Sequence, residues 1–308
     1  MIRGLVIQGI NNIYLVETET KTIECRVKGK RLSEEQVSYN PLAPGDEVLL
    51  ELDKIDDQKG QIIERLDRKN RFARYNKKKQ APQIMAANID LVACLCSVKN
   101  PPFRPRFIDR ILVSAHQEIP VLIIVNKIDL GINKHVRERI ELFKSLSYPV
   151  IETSVKTGEG ISQLRNTFLN KRVAFIGQSG VGKSSLCNLL EPGLGQKIGK
   201  INPKYDRGRH TTCFSTLFRW SANSELIDTP GIREIEIFGI KSADLGFYFP
   251  DFNIHSKMCK FPRCTHRHEP DCAVMEAVNQ GRIHRDRYES YIKIFEELED
   301  REISDIAL

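Results

Sequence analysis

RVAFIGQSGVGKSSLCNLL, residues 172–190, reads as a strand, a glycine-rich loop and a helix in immediate succession. The loop, Gly177-Gln178-Ser179-Gly180-Val181-Gly182-Lys183-Ser184, fits the phosphate-loop pattern G-x-x-x-x-G-K-[ST]. Its glycines let the backbone wrap a phosphate chain with the N–H groups pointing inward. Lys183 then reaches the β- and γ-phosphates, the Ser184 hydroxyl ligates Mg²⁺, and Ser185 adds to the nucleotide-binding set. A loop of this kind sits at the carboxyl end of a strand in a parallel α/β sheet, where such sheets bind their ligands.

Working outward, other strands also end in polar residues. VLIIV runs into Asn126-Lys127-Ile128-Asp129. A carboxylate at Asp129 can accept from N1–H and N2–H₂ of guanine, a donor pair adenine lacks, which selects GTP and GDP over adenine nucleotides. The alternative is that Asp129 caps a helix. PVIE runs into Thr153-Ser154-Val155-Lys156, placing Ser154 and Lys156 on the far side of the base, with a helix cap as the competing role. SELI runs into Asp228-Thr229-Pro230-Gly231. There Asp228 can hold Mg²⁺ through water and the Gly231 N–H can bond the γ-phosphate. Between the phosphate loop and TLFRW lies a basic loop with Lys200, Lys204, Arg207, Arg209 and His210; Thr211 or Thr212 can supply the hydroxyl that closes over Mg²⁺.

From residue 88 strands alternate with amphipathic helices, the signature of a parallel α/β sheet. Residues 1–70 instead carry short alternating runs (GLVIQGI, NIYLVET, TIECRV, DEVLLELD) parted by turn residues. They predict a small closed barrel of the oligonucleotide-binding (OB) or SH3-like type. Residues 241–308 are irregular and then helical, ending in an acidic tail. The chain of 308 residues thus divides into 1–70, 71–240 and 241–308.

Apolar residues make up 41% and charged residues 28%, a globular composition. No apolar run approaches the ~20 residues of a membrane helix, and MIRGLVIQGINNIY lacks the layout of a secretion signal. The expectation is a cytoplasmic monomer with no membrane partner. The net charge is +7, and residues 64–79 (ERLDRKNRFARYNKKK) hold eight bases against two acids. Such a segment is either a solvated linker or a contact for an anion such as RNA.

Cys259-x4-Cys264-x-His266-x5-Cys272 offers three thiolates and an imidazole, a tetrahedral Zn²⁺ set that fills the coordination sphere and is therefore structural. His268 and His255 are alternative nitrogen ligands.

The order of the motifs is unusual: NKID, TSVK, phosphate loop, threonine loop, DTPG. In ordinary GTPases the phosphate loop comes first, so this domain reads as circularly permuted. The permuted order, the barrel before it, GQSGVGKSSL, GRHTT, DTPGIRE and the cysteine spacing resemble the ribosome small subunit-dependent GTPase A family (RsgA, also called YjeQ) over almost the whole chain. That resemblance implies a multi-domain fold: an N-terminal OB-type β-barrel, a central circularly permuted α/β P-loop GTPase domain and a C-terminal zinc-binding helical domain. It favours His266 over His268. It also implies a GTP-hydrolysing enzyme that assists late maturation of the small ribosomal subunit, contacts its rRNA and is stimulated by it. Many GTPases carry glutamine after D-x-x-G to orient the attacking water; Ile232 stands there. Slow intrinsic turnover follows, with the missing group supplied by another loop, His210 being one candidate, or by the partner. DTPG leads directly into the cysteine segment, so γ-phosphate binding is expected to re-angle that segment.

Overall fold

A computed structural model describes residues 1–28, 38–115, 118–191, 215–221, 223–229 and 235–306. The first five strands are β1 (Ile2–Ile10), β2 (Ile13–Glu17), β3 (Thr22–Val27), β4 (Glu47–Leu52) and β5 (Lys59–Arg65). They pair in the order β1-β2-β3-β5-β4, and β4 returns to β1 to close a barrel. Alternate side chains point inward, as the strand period requires, and Val6, Val16, Ile23, Cys25, Val48, Leu50 and Ile62 fill the interior. The sequence reading did not include β5. Its Gly60 looks like a breaker, but a Cβ there would meet Glu51 O at 2.9 Å and Cys25 Sγ at 3.2 Å. The glycine permits a close approach at the barrel wall.

The basic segment also departs from a linker. β6 (Arg71–Asn76) and β7 (Ala81–Ala87) form an antiparallel hairpin. Several of the segment's cations are paired: Arg68 with Asp46 at 2.6 Å, Lys69 with Asp90 at 3.0 Å and Lys77 with Glu236 at 2.7 Å.

The remaining strands are β8 (Leu91–Ser97), β9 (Val121–Asn126), β10 (Val150–Glu152), β11 (Arg172–Gly177), β12 (Thr216–Ser221) and β13 (Ser224–Asp228). Their order is β10-β9-β8-β11-β13-β12, parallel except for β12. Because helices cover both faces at the centre of the sheet, β8, β9 and β11 are almost continuously apolar. Cys94, Cys96, Ile123, Val125 and Ile176 face α1 (Pro105–Ser114) and α2 (Lys134–Ser145). Leu95, Ile124, Val173 and Phe175 face α3 (Ile161–Phe168) and α4 (Lys183–Leu190). β12 joins the sheet to the barrel through β1, where Gln8 pairs with Thr216 and Gln8 Nε2 donates to Thr216 Oγ1 at 3.1 Å.

The C-terminal part comprises α5 (Pro250–Ser256), α6 (Ala273–Asn279) and α7 (Arg285–Ile306) around Phe249, Phe252, Tyr291 and Ile294. Ile237 and Ile240 already belong to this core. Buried charges fix it to the sheet domain. Asp109 of α1 accepts from Arg287 of α7 at 2.6 Å and lies 3.4 Å from Arg139 of α2, while Arg287 also reaches Asp251 at 2.8 Å. Among the described residues no helix is long and apolar enough to cross a membrane.

Candidate functional site

β11 ends at Gly177, and α4 begins at Lys183. The loop between them turns sharply because two of its glycines take positive φ, Gly180 at 81° and Gly182 at 101°. A Cβ at Gly177 would stand 2.7 Å from Leu95 O, and one at Gly182 would collide with Asn126 Nδ2. Val181 instead points into the core. The result is a cleft of about 360 Å³ lined by Lys127, residues 178–180 and 182–185, Asp228 and Thr229. It lies at the carboxyl ends of the strands.

Within the cleft, Lys183 Nζ donates to Gly177 O at 2.8 Å and Gln178 O at 3.4 Å. Burial pulls the Lys183 pKa down, with Asp228 opposing. Burial pushes the Asp228 carboxyl up to about 6, against the pull of Lys183. Asp228 Oδ1 is buried and has no hydrogen-bond partner among the described residues. An acceptor left in that condition costs free energy unless a donor or cation meets it. Beside the exposed Ser184 hydroxyl, the donor set fits a hard, oxygen-seeking cation such as Mg²⁺.

The guanine-type motif joins this loop directly. Asn126 Nδ2 donates to Val181 O at 2.9 Å, and its Oδ1 accepts from Thr153 Oγ1 at 3.2 Å. Lys127, at a positive φ of 64°, donates through Nζ to Gly180 O at 2.7 Å and also to Asn100 O. The Ile128 N–H donates to Thr153 O at 3.2 Å. Asp129 is exposed, and Ser154 Oγ donates to its Oδ1 at 2.7 Å. Asp129 is not a helix cap: Asn133 caps α2, accepting from Val136 N at 2.9 Å. Nor does Ser154 cap α3, whose N-cap is Gly160. Lys156 is exposed beyond Ser154. Asn100 is an addition that no local pattern signals, and Thr229, quoted with DTPG but given no role there, donates through Oγ1 to Phe175 O at 2.6 Å. Thr211, Thr212, Gly231, His210, Ile232 and the basic residues of the threonine loop lie outside the described residues.

The second constellation is equally compact. The ligand atoms of Cys259, Cys264, His266 and Cys272 all lie within 4.8 Å of one another. His266 Nδ1 is 3.6 Å from Cys259 Sγ and 3.5 Å from Cys272 Sγ, and those two sulfurs are 4.0 Å apart. Tetrahedral Zn²⁺ sets its S and N ligands roughly 3.5–3.8 Å apart, so the four residues fit zinc. Burial lowers the His266 pKa, which favours the neutral imidazole that ligation needs. His268 is exposed and His255 sits in α5; neither belongs to the cluster. A second layer fixes the knuckle, and sequence reading did not find it. Glu269 accepts from Thr265 N at 2.6 Å and Arg267 N at 3.0 Å, while the Tyr288 and Tyr291 hydroxyls donate to His266 O and Thr265 O, each at 2.7 Å.

With this geometry in place, comparison with known proteins is informative. The family profile described as the RsgA N-terminal domain matches residues 3–62, the barrel, and the RsgA GTPase profile matches residues 65–238. A Borrelia recurrentis protein named small ribosomal subunit biogenesis GTPase RsgA is 44% identical over 296 residues, covering 95% of this chain and 93% of its own length. A protein of the same name from Christiangramia forsetii is 36% identical over 306 residues, covering 97% of each. The crystal structure of YjeQ from Thermotoga maritima superposes with a TM-score of 0.69 at 33% identity, covering 96% of this chain and 98% of that one. That of YloQ, described as a circularly permuted GTPase, gives 0.65 at 27% identity, with 98% and 96% covered. Since the matches run through barrel and sheet in one chain order, this chain belongs to the RsgA GTPase family.

Proposed function

We propose that the chain hydrolyses GTP to GDP and phosphate, that it assists late maturation of the small ribosomal subunit, and that the subunit stimulates turnover. The particle is carried over from the names of its relatives. The chemistry is carried by one observation: the bonds from Asn126 to Val181 and from Lys127 to Gly180 lock the base-reading edge to the phosphate loop. A nucleotide bound across that junction has its base and its phosphates positioned by one rigid unit.

In this reading Asp129, oriented by Ser154, accepts from guanine, with Lys127 and the Ile128 backbone beneath the base and Lys156 at the rim. The backbone from Gly177 to Gly182, including Gln178, Ser179, Gly180 and Val181, wraps the phosphates. Lys183 leaves its carbonyl acceptors for the β- and γ-oxygens, and Ser185 adds a donor. Ser184 and Asp228 hold Mg²⁺, which when bound neutralises charge developing on the transferred phosphoryl group. Thr211 or Thr212 and Gly231 complete the γ-phosphate side. Ile232 cannot orient water, so intrinsic turnover is slow and the partner supplies what is missing. Cys259, Cys264, His266 and Cys272 hold one structural Zn²⁺. We divide the chain at residues 70 and 240 into OB barrel, permuted GTPase and zinc domains, acting in the cytoplasm as a monomer bound to the small subunit and its rRNA.

The segment after DTPG supports coupling between nucleotide and zinc domain. Its Ile235 carbonyl accepts from Arg110 at 3.0 Å, its Glu236 carbonyl from Tyr75 N at 3.0 Å, and its Ile237 carbonyl from Arg301 at 2.5 Å. A shift of DTPG therefore pulls on α1, the hairpin and α7 together.

The test is GTP hydrolysis by the purified protein with and without small ribosomal subunits, large subunits serving as control. A large increase with small subunits only is expected. No increase with tight guanine-nucleotide binding retained would replace this reading with a nucleotide-gated RNA-binding scaffold.

A further inference from the structure

The seat of Lys127 draws on a loop that no motif above accounts for. Residues 97–104 leave the carboxyl end of β8 and open α1. The loop is fixed within itself and to its neighbour: Ser97 Oγ donates to Pro101 O at 2.8 Å, and Lys99 Nζ donates across to Leu130 O, next to Asp129, at 3.0 Å. Pro101 faces the phosphate loop, where a Cβ at Gly180 would stand 3.6 Å from its Cδ. The loop thus borders the nucleotide cleft on the side of the base-reading motif.

An ammonium carries three N–H donors. That of Lys127 gives one to Gly180 O at 2.7 Å and one to Asn100 O, and among the described residues no carboxylate pairs with it. The two carbonyls stand on different loops. Together they draw the four-carbon stem across the cleft that Lys127 lines. Held by Gly180 alone, the ammonium would swing about a single bond. The second carbonyl removes that freedom before a ligand arrives, so the cost of ordering the side chain does not fall on binding. Asn100 takes part through its backbone. Its side chain is exposed and has no hydrogen bond among the described residues. Its φ is 50°, in the left-handed region that asparagine tolerates, glycine adopts freely and a β-branched residue all but excludes. That backbone aims the carbonyl at Lys127, itself at a φ of 64°.

We propose that Asn100 is a positioning residue for guanine-nucleotide binding and that it acts through Lys127: its left-handed backbone holds the carbonyl that seats the ammonium and sets the stem beneath the base. The proposal rests on the reading that Lys127 lies beneath guanine, and adds what puts it there. A stem that meets the face of the base does not read the base edge, so Asn100 governs affinity and leaves the choice of base to Asp129.

Calorimetric titration of the full-length protein with GDP and with inosine diphosphate, which lacks the exocyclic amine, tests it. Asn100→Val should weaken GDP about tenfold, as for loss of one hydrogen bond to a charged group. Asn100→Gly, which keeps the left-handed backbone, should bind within about twofold of the parent, and Asn100→Ala should fall between the two. Inosine diphosphate should lose the same factor as GDP in each variant. A double-mutant cycle separates positioning from general damage: beside Lys127→Met, Asn100→Val should change GDP affinity less than about twofold, because the group it positions is gone. Parent affinity in Asn100→Val, a loss in Asn100→Gly as large as in Asn100→Val, a loss confined to GDP, or a tenfold loss that persists beside Lys127→Met would each overturn the proposal. A parent protein that binds GDP while showing any of these results sinks the role of Asn100 alone. A parent protein that binds no guanine nucleotide sinks the proposed function and the role of Asn100 with it.

Discussion

The nucleotide cleft and the cysteine knuckle are both polar sites set in apolar surroundings, yet one is completed by the protein and the other is not. Around the knuckle, Glu269 gathers the N–H groups of Thr265, Arg267 and His268, and two tyrosine hydroxyls close the carbonyls of Thr265 and His266. Against the upward push of burial, hydrogen bonds from the Thr265 hydroxyl and the Thr265 and Arg267 N–H groups draw the Glu269 carboxyl down to about 2. In the cleft, Lys183 rests on the carbonyls of its own loop, and Asp228 Oδ1 has no partner among the described residues. A site that keeps one ion for the life of the fold can satisfy every group once. A site that binds, cleaves and releases its ligand must leave groups under-satisfied in at least one state.

Removing the zinc proposed for the knuckle is the most severe way to break this contrast. Structural zinc contributes on the order of 10 kcal/mol to small zinc modules. Chelation, or Cys264→Ser, is expected to abolish amide-exchange protection around residues 259–272 while the barrel keeps its own. Protection that survives complete chelation would make the cysteines an ordinary packed cluster. The matching change in the cleft is Lys183→Ala. Hydrolysis should fall at least about 100-fold, as for loss of a preorganised charge on a reacting phosphate, and Tm should stay level. A Tm drop like that of Cys264→Ser would make Lys183 a structural residue.

Asp129→Asn sharpens the contrast from the base side. The carboxylate sits on the surface with one tether, Ser154, so its replacement should leave the fold intact. Guanine-nucleotide affinity should fall about 100-fold, because a carboxamide cannot accept from both guanine donors. Xanthine nucleotides, which present a carbonyl in place of the exocyclic amine, should gain. Competition binding with GDP and xanthosine diphosphate reads both, and equal loss for the two would mean that Asp129 does not read the base.

Much of this was legible in the sequence because it is local. The phosphate loop, the NKID strand end and the cysteine spacing each lie within a few turns of chain, and the alternating strands of the barrel announce their period. What escaped depends on distant partners. β5 hides behind Gly60, whose use appears only when Glu51 and Cys25 close on it. Residues 64–79 look like free charge until Asp46, Asp90 and Glu236 are found opposite. Asp109, Arg139 and Arg287 would pass for helix-surface residues, but they are buried together where the C-terminal helices dock. The family resemblance already favours His266 over His268, and the fold adds the local reason: His266 takes a positive φ of 58° with its ring among the cysteines.

The mildest change gives the sharpest comparison, because it should improve the fold while destroying the site. Burial raises the Asp228 carboxyl from an ordinary 3.8 to about 6. A raised carboxyl favours the protonated folded protein, so its penalty is absent below about pH 4, grows between pH 4 and 6, and is complete above. Near pH 7 the charged form then costs about 1–3 kcal/mol. In nucleotide-free protein, Asp228→Asn should therefore raise Tm by a few degrees at pH 7 and by nothing at pH 4, while GTP hydrolysis collapses. Lys183 does not forfeit the gain, since its carbonyl acceptors Gly177 O and Gln178 O remain. A lower Tm at pH 7 would show the opposite: Asp228 would be a structural counter-charge to Lys183, and the cleft as complete without its ligand as the second layer of the knuckle.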